Sequence, residues 1–196
     1  GVDASDGRPY WITGGDESPE EGYSEEVTYA MTSALQSWAG ERIPTYSGGI
    51  GTRFSFKGLS VDANFYFTGG HKIYERWGWY SMQTGLLSTR YYQGDQRLLD
   101  RWQQPGDVTD VPKMIWSTST TTSGSGNSTR FLYDGDFVRL RDLTVNYSLP
   151  QSLLGNSGLD GVNVFVKGLN LLTWTKDDLP IDPEIRTNGS WEIYTP

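Results

Sequence analysis

Between Ile50 and Phe67 apolar and polar residues alternate with a period of two, interrupted at Lys57-Gly58. A two-residue turn at Lys57-Gly58 sets Phe56 opposite Leu59, Phe54 opposite Val61, Thr52 opposite Ala63 and Ile50 opposite Phe65. That face is apolar at seven of its eight positions. The other face pairs Ser55 with Ser60, Arg53 with Asp62 and Gly51 with Asn64, and Arg53 and Asp62 would form a cross-strand ion pair there. A slip of one residue would mix the two faces, so the pattern specifies the register. Lys-Gly is a weaker turn signal than Asn-Gly, because the first turn position also needs positive φ. A second alternation follows, with Leu143, Val145, Tyr147 and Leu149 on one face and Thr144, Asn146 and Ser148 on the other, stopped by Pro150. After turn residues at Gly155 to Gly158 and Asp160-Gly161, Val162, Val164 and Val166 alternate with Asn163, Phe165 and Lys167. Val138-Arg139-Leu140-Arg141 breaks the phase of the strand it joins. A bulge near Asp142 would explain this, as would arginines at the level of lipid headgroups.

The rest of the chain is less regular. Residues 1–48 are mostly turn chemistry, except that Val27, Ala30, Met31, Ala34, Leu35 and Trp38 recur at helical spacing. Ser24 as N-cap, Glu25-Glu26 in the first turn and Gly40 as stop predict a short amphipathic helix over about 25–39. Residues 68–130 are long, polar and aromatic. Asp95 to Gln104 predicts a short helix stopped by Pro105-Gly106, and the Ser/Thr/Gly tract from Thr118 to Thr129 has no apolar residue and is expected to be mobile.

A strand with one apolar and one polar face needs something apolar on one side. A soluble sandwich supplies a second sheet; a membrane barrel supplies lipid outside and a wet interior. Strands of about 9–11 residues fit a tilted membrane crossing. Connections that alternate between short and very long fit a barrel with one loop-bearing rim. The 196 residues amount to one domain or a piece of something larger. No apolar run approaches the roughly 20 residues of a membrane helix. The absence of cysteine excludes disulfide scaffolds, zinc fingers and thiol catalysis. A net charge of -8 disfavours a nucleic-acid partner. Aromatics at 14% argue against disorder. Gly1 to Gly7 shows no secretory signal, so the chain is expected to be cytosolic, already processed or an internal fragment, and Trp191 to Tyr194 reads as the opening of a strand.

No catalytic constellation is present. His71, the single histidine, sits in a Gly-Gly-His-Lys loop with no specified partner. Asp177, Asp178, Asp182 and Glu184 supply oxygen ligands suited to Ca²⁺ but lack EF-hand spacing, and a solvated acidic loop is the favoured reading. No metal and no cofactor are expected. The flat faces of Trp77, Trp79, Tyr80, Tyr91, Tyr92 and Trp102 are the candidates for contact with substrate or partner, since such rings stack on sugars and on peptide side chains. Packing of these rings between loops, or a place in the interfacial girdle, is the competing expectation.

The stretch from Arg130-Phe131-Leu132-Tyr133-Asp134-Gly135-Asp136 through Phe137-Val138-Arg139-Leu140-Arg141-Asp142-Leu143 to Leu149-Pro150 resembles the near-C-terminal signature of the SusC/RagA family. These are TonB-linked outer-membrane transporters. Val162 to Trp174, with its Asn170-Leu171-Leu172-Thr173 ending, resembles the family's following strand, and Asp182-Pro183-Glu184 its Asp-Pro-Glu loop. Ile43-Pro44-Thr45-Tyr46-Ser47-Gly48-Gly49, Ser55-Phe56-Lys57-Gly58-Leu59, Leu99-Asp100-Arg101-Trp102 and Val111-Pro112 are similar to further family words in the same order.

The resemblance implies an all-β fold, the C-terminal strands of an antiparallel transmembrane barrel of about 22 strands with long extracellular loops. Residues 1–48 would be an extracellular loop with a short helix, 50–67 a hairpin, 68–130 a long extracellular loop, 137–173 a strand pair, and 174–196 a loop and the start of the last strand. It further implies a non-enzymatic importer of glycan or peptide fragments. Its partners would be a SusD-like surface lipoprotein, the TonB complex, the remaining chain of the barrel, and outer-membrane lipid. The alternatives are a soluble carbohydrate-binding β-sandwich, or a barrel with a structural or secretion-associated role.

Overall fold

The computed structural model describes residues 1–13, 26–34, 36, 38–85, 93–116, 128–155, 158–177 and 179–184. In chain order the strands are β1 (Trp11–Ile12), β2 (Val27–Thr28), β3 (Tyr46–Phe56), β4 (Leu59–Gly69), β5 (Lys72–Tyr74), β6 (Leu132–Asp134), β7 (Phe137–Ser148) and β8 (Asn163–Thr175). The helices are α1 (Arg76–Ser81) and α2 (Gln151–Leu154). The chain forms two compact units, one from Gly1–Ala39 with Tyr74–Leu132, the other from Gly40–Ile73 with Tyr133–Pro196.

The second unit is built on a four-stranded antiparallel sheet in the order β3-β4-β7-β8. The β3–β4 register is the one the alternation specifies, with Phe56 against Leu59, Phe54 against Val61 and Ile50 against Phe65. Lys57 (φ 45°) and Gly58 (φ 86°) both take the left-handed conformation that a two-residue hairpin of right-handed twist requires. The strands are 11, 11, 12 and 13 residues long, well beyond the roughly 5–6 usual in soluble sheets.

Pairing carries each row of side chains across all four strands. Phe54, Val61, Val145 and Val166 form one apolar row; Phe56, Leu59, Tyr147 and Val164 form the next. Arg53, Asp62, Thr144 and Lys167 form a row on the opposite face. The phase break predicted near Asp142 is a bulge: Asn64 faces Asp142 while Phe65 faces Leu140, so Arg141 is the extra residue. On the other side the register shifts again between Leu140 and Asp142, and β8 accommodates it with Asn170 at φ 51°. The bulge keeps Leu140 and Leu143 on one face and Arg139 and Asp142 on the other.

The apolar face has no second layer among the described residues. Phe54 is 61% exposed and Val166 73%, whereas in a sandwich these central rows would be the core. The hydrophobic residues buried together lie in the first unit, where Met82, Leu98, Val111 and Phe131 cluster against Tyr74 and Trp79.

Two helical expectations are corrected. No helix forms over the described part of 25–39; Val27–Thr28 pairs as β2 with Trp11–Ile12, and Met31–Ser33 is a single 3-10 turn that buries nothing. The β-branched pair Val27-Thr28 favours the ladder, and among the described residues Val27, Ala30, Met31, Ala34 and Trp38 are not buried, so no packed face holds a helix. Its proposed cap Ser24, and Leu35, lie outside the described residues. The helix expected from Asp95 is a shorter 3-10 run, Gln96–Asp100, in which the Asp95 side chain caps the Arg97 amide and Leu98 is buried. Trp191 to Tyr194 and Thr118 to Asn127 also lie outside the described residues.

Candidate functional site

The described aromatic candidates fall in the first unit, and three of the four, Trp77, Trp79 and Tyr80, lie on α1. Its N-cap residue, Glu75, is 2% exposed. The Glu75 carboxylate accepts two hydrogen bonds from Arg97, at 2.9 and 2.6 Å, and Arg97 donates to Asp95 at 3.0 and 2.7 Å. These bonds hold the Arg97 guanidinium firmly charged and lower the Asp95 carboxyl below its ordinary range. A Cβ on Gly78 would lie 2.4 Å from the Glu75 carboxylate, so the first turn of α1 closes over the acid because it lacks a side chain there. Phe131 and Tyr74 meet edge to face at 6.5 Å beneath it.

This anchoring sorts the candidates. Trp79 is half-buried against the core and meets Tyr80 edge to face at 4.4 Å. Trp102 is half-buried; its indole N–H donates to the Ala4 carbonyl at 3.0 Å, and Gly7 lies so close beneath its ring that a Cβ would sit 2.5 Å away. Trp77 is 58% exposed. Trp77, Trp79 and Tyr80 therefore share one short helix, while Trp102 is occupied by packing against the N-terminal loop. Tyr91 and Tyr92 lie outside the described residues. Sequence reading missed Arg76, whose guanidinium lies 4.9 Å from the Trp79 ring centre and 5.4 Å from that of Tyr80. The spacing i, i+3, i+4 was the available signal.

In the second unit, charged residues gather at one end of the sheet. Asp134 binds Lys72 at 2.7 Å and Lys176 at 2.9 Å; Lys176 and then Lys72 lower its carboxyl. Asp136 accepts the Gly70 amide at 2.7 Å, and the Gly135 amide donates to the His71 carbonyl at 2.9 Å. Burial lowers the His71 imidazole, opposed by the charges of Asp136 and Asp134. The ring packs over Gly135, with no serine or cysteine nucleophile bonded to it among the described residues. On the polar face Arg139 is 5% exposed; it donates to Thr173 at 2.9 Å and Asp182 at 2.7 Å and pairs with Glu184, which also pairs with Arg141. Arg141 lies 4.3 Å from the Tyr66 ring centre. Asp182 and Glu184 thus serve as partners of two arginines, and Asp177 accepts the Asp134 amide at 2.9 Å. Asp178 lies outside the described residues.

Comparison with known proteins agrees with this geometry. No family model matches the sequence. The chain is 31% identical over 155 residues to TonB-dependent receptor P3 of Formosa agariphila, covering 79% of this chain and 14% of that protein. It is 26% identical over 147 residues to TonB-dependent receptor P26 of the same organism, covering 74% and 14%. The chain thus spans about one-seventh of the length of these relatives. Among solved structures, the RagAB peptide transporter aligns with a TM-score of 0.67 at 28% identity, over 90% of this chain and 18% of that one. The RagAB peptide importer in its open-open state aligns at 0.64 and 28%, over 93% and 19%.

The fold is thus that of an outer-membrane β-barrel of the TonB-dependent receptor class. Within that class the chain fits a fragment of the SusC/RagA family. An apolar lipid side and a polar wet interior are what such a wall carries, and the uncovered apolar rows and the opposite rows holding Arg53, Asp62 and Arg139 fit that pattern.

Proposed function

We propose that the chain is wall and loop of a TonB-dependent importer that carries glycan or peptide fragments across the outer membrane beneath a SusD-like surface lipoprotein. The observation that supports this most is the four-strand sheet, apolar and uncovered on one side and charged on the other, in a chain that aligns with the RagAB peptide transporter at a TM-score of 0.67. Peptide is the favoured cargo, because the aligned structures are named peptide importers. Residues 1–48 and 68–130 are extracellular loops in this reading, since the connections at Lys57-Gly58 and 149–162 are short where these are long. Trp77 and Tyr80 are the contact residues for substrate or lipoprotein. The strands contribute no catalytic group, and passage is gated rather than chemical.

The test is uptake of a labelled oligopeptide by cells carrying the full-length protein, with and without a functional TonB complex. Accumulation that requires TonB, together with co-purification of a surface lipoprotein, is the expected result. Uptake unchanged by loss of TonB would refute the importer reading. The soluble lectin-like alternative loses its support with the exposed apolar rows, and a detergent-free extraction that released the full-length protein would restore it.

A further inference from the structure

Arginines in this acidic chain are mostly matched to carboxylates. Arg8, Arg53, Arg97, Arg139 and Arg141 each bridge at least one. Arg76 bridges none among the described residues; it is exposed and rests on aromatic rings. Its Nη2 donates to the Tyr80 hydroxyl at 3.4 Å. Stacking occupies the flat face of a guanidinium and leaves its in-plane N–H fork for an acceptor at the edge, the geometry that suits a carboxylate. The rings beneath it are themselves fixed. Trp79 is wedged against the Met82, Leu98, Val111 and Phe131 cluster, and α1 is tied down at Glu75 by Arg97. Tyr80 stands four residues after Arg76 and three after Trp77, so its ring lies between them on the helix surface. Trp77, more than half exposed, supplies an apolar face on the far side of Tyr80 from the cation.

We propose that the Arg76–Trp77–Tyr80 surface binds the C-terminal carboxylate of an imported oligopeptide, with Arg76 gripping the carboxylate and Trp77 stacking on the side chain that precedes it. This rests on the importer reading and gives that reading a ligand group. A preorganised cation loses little freedom on binding, and a charge-assisted pair is stronger than a neutral one, so the site discriminates an acid from its amide.

The experiment uses the full-length transporter purified with its lipoprotein. The probes are an oligopeptide whose sole carboxylate is its C-terminus and the C-terminal amide of the same peptide, with affinities measured by calorimetry. The wild type is expected to favour the acid by about tenfold. Arg76→Gln is expected to remove that preference, while Arg76→Lys, which keeps the cation, retains part of it and shows that the loop still folds. A preference that survives in Arg76→Gln, or equal binding of acid and amide by the wild type, overturns the carboxylate site and leaves the importer reading standing. Failure of the wild type to bind either peptide counts against the peptide cargo itself. Arg76-dependent binding of an oligouronide with no peptide bound overturns the peptide assignment as well.

Discussion

Glu75 is the most demanding residue of the first unit, an acid with 2% of its surface exposed whose charge is matched by Arg97. Removing the cation alone strands that charge. Arg97→Met is expected to cost the loop about 3 kcal/mol of local stability, read as faster hydrogen exchange and proteolysis across residues 74–116 of the full-length protein. Adding Glu75→Gln to the same variant should recover part of the loss, because the stranded charge is then gone. Asp95 gives the matching pH dependence. Its folded carboxyl lies below its unfolded value, chiefly through its hydrogen bonds from Arg97. The stability it contributes is therefore fully present above the ordinary carboxylate range, near pH 4, and is lost as the pH falls through the depressed value. Exchange protection of the Gln96–Asp100 turn should fall on acidification through that window, and Asp95→Asn should be less protected at neutral pH and flatter with pH. The rings were legible in the sequence as a group. Which of them are occupied was not: Trp102 is held by Gly7 and Ala4, and the Arg97–Glu75 bond joins residues 22 positions apart with no local pattern.

At the level of the element, the β3–β4 hairpin is the part where pattern and structure agree pair by pair. Its turn is the weak point. Gly58 has φ +86°, and a Cβ there would stand 2.7 Å from the Ser148 carbonyl oxygen of the neighbouring strand. Gly58→Ala is expected to destabilise the hairpin by about 1–2 kcal/mol, measured as a lower yield of folded, heat-modifiable barrel. Lys57→Asn is expected to leave that yield unchanged or raise it, since asparagine tolerates the left-handed conformation of that position better. The bulge at Arg141 was legible as a phase break in the strand, because alternation makes an extra residue visible. The 25–39 stretch misled for the converse reason. Its helical spacing was real, yet the described residues of the stripe are not buried, and Val27-Thr28 found a strand partner in Trp11-Ile12.

For the molecule as a whole, the two faces of the sheet should respond oppositely to charge. Phe54→Lys places a cation on the lipid side and is expected to destabilise the inserted protein, by less than the about 2–4 kcal/mol of a mid-membrane site because Phe54 lies close to the Lys57-Gly58 turn. Ser55→Lys, one residue on, adds the same charge to the face that already holds Arg53 and Asp62, at a cost near zero. The fraction of full-length protein inserted in outer membranes, and its denaturant resistance in detergent, would read both. Equal tolerance of the two substitutions would contradict a lipid-facing apolar row.

The sequence by itself determined the long strands, the register of the β3–β4 hairpin and the sign of each face, because a period of two is local and any slip would turn every side chain over. Its ordered family words also identified the class of barrel. Tertiary structure alone decided which charges are matched and which rings are bound up. The partners of Arg139 lie 43 and 45 residues away, at Asp182 and Glu184, and those of the buried loop core are spread from Tyr74 to Phe131. Such pairings are set by how distant segments meet, and chain separation leaves no periodic trace of them.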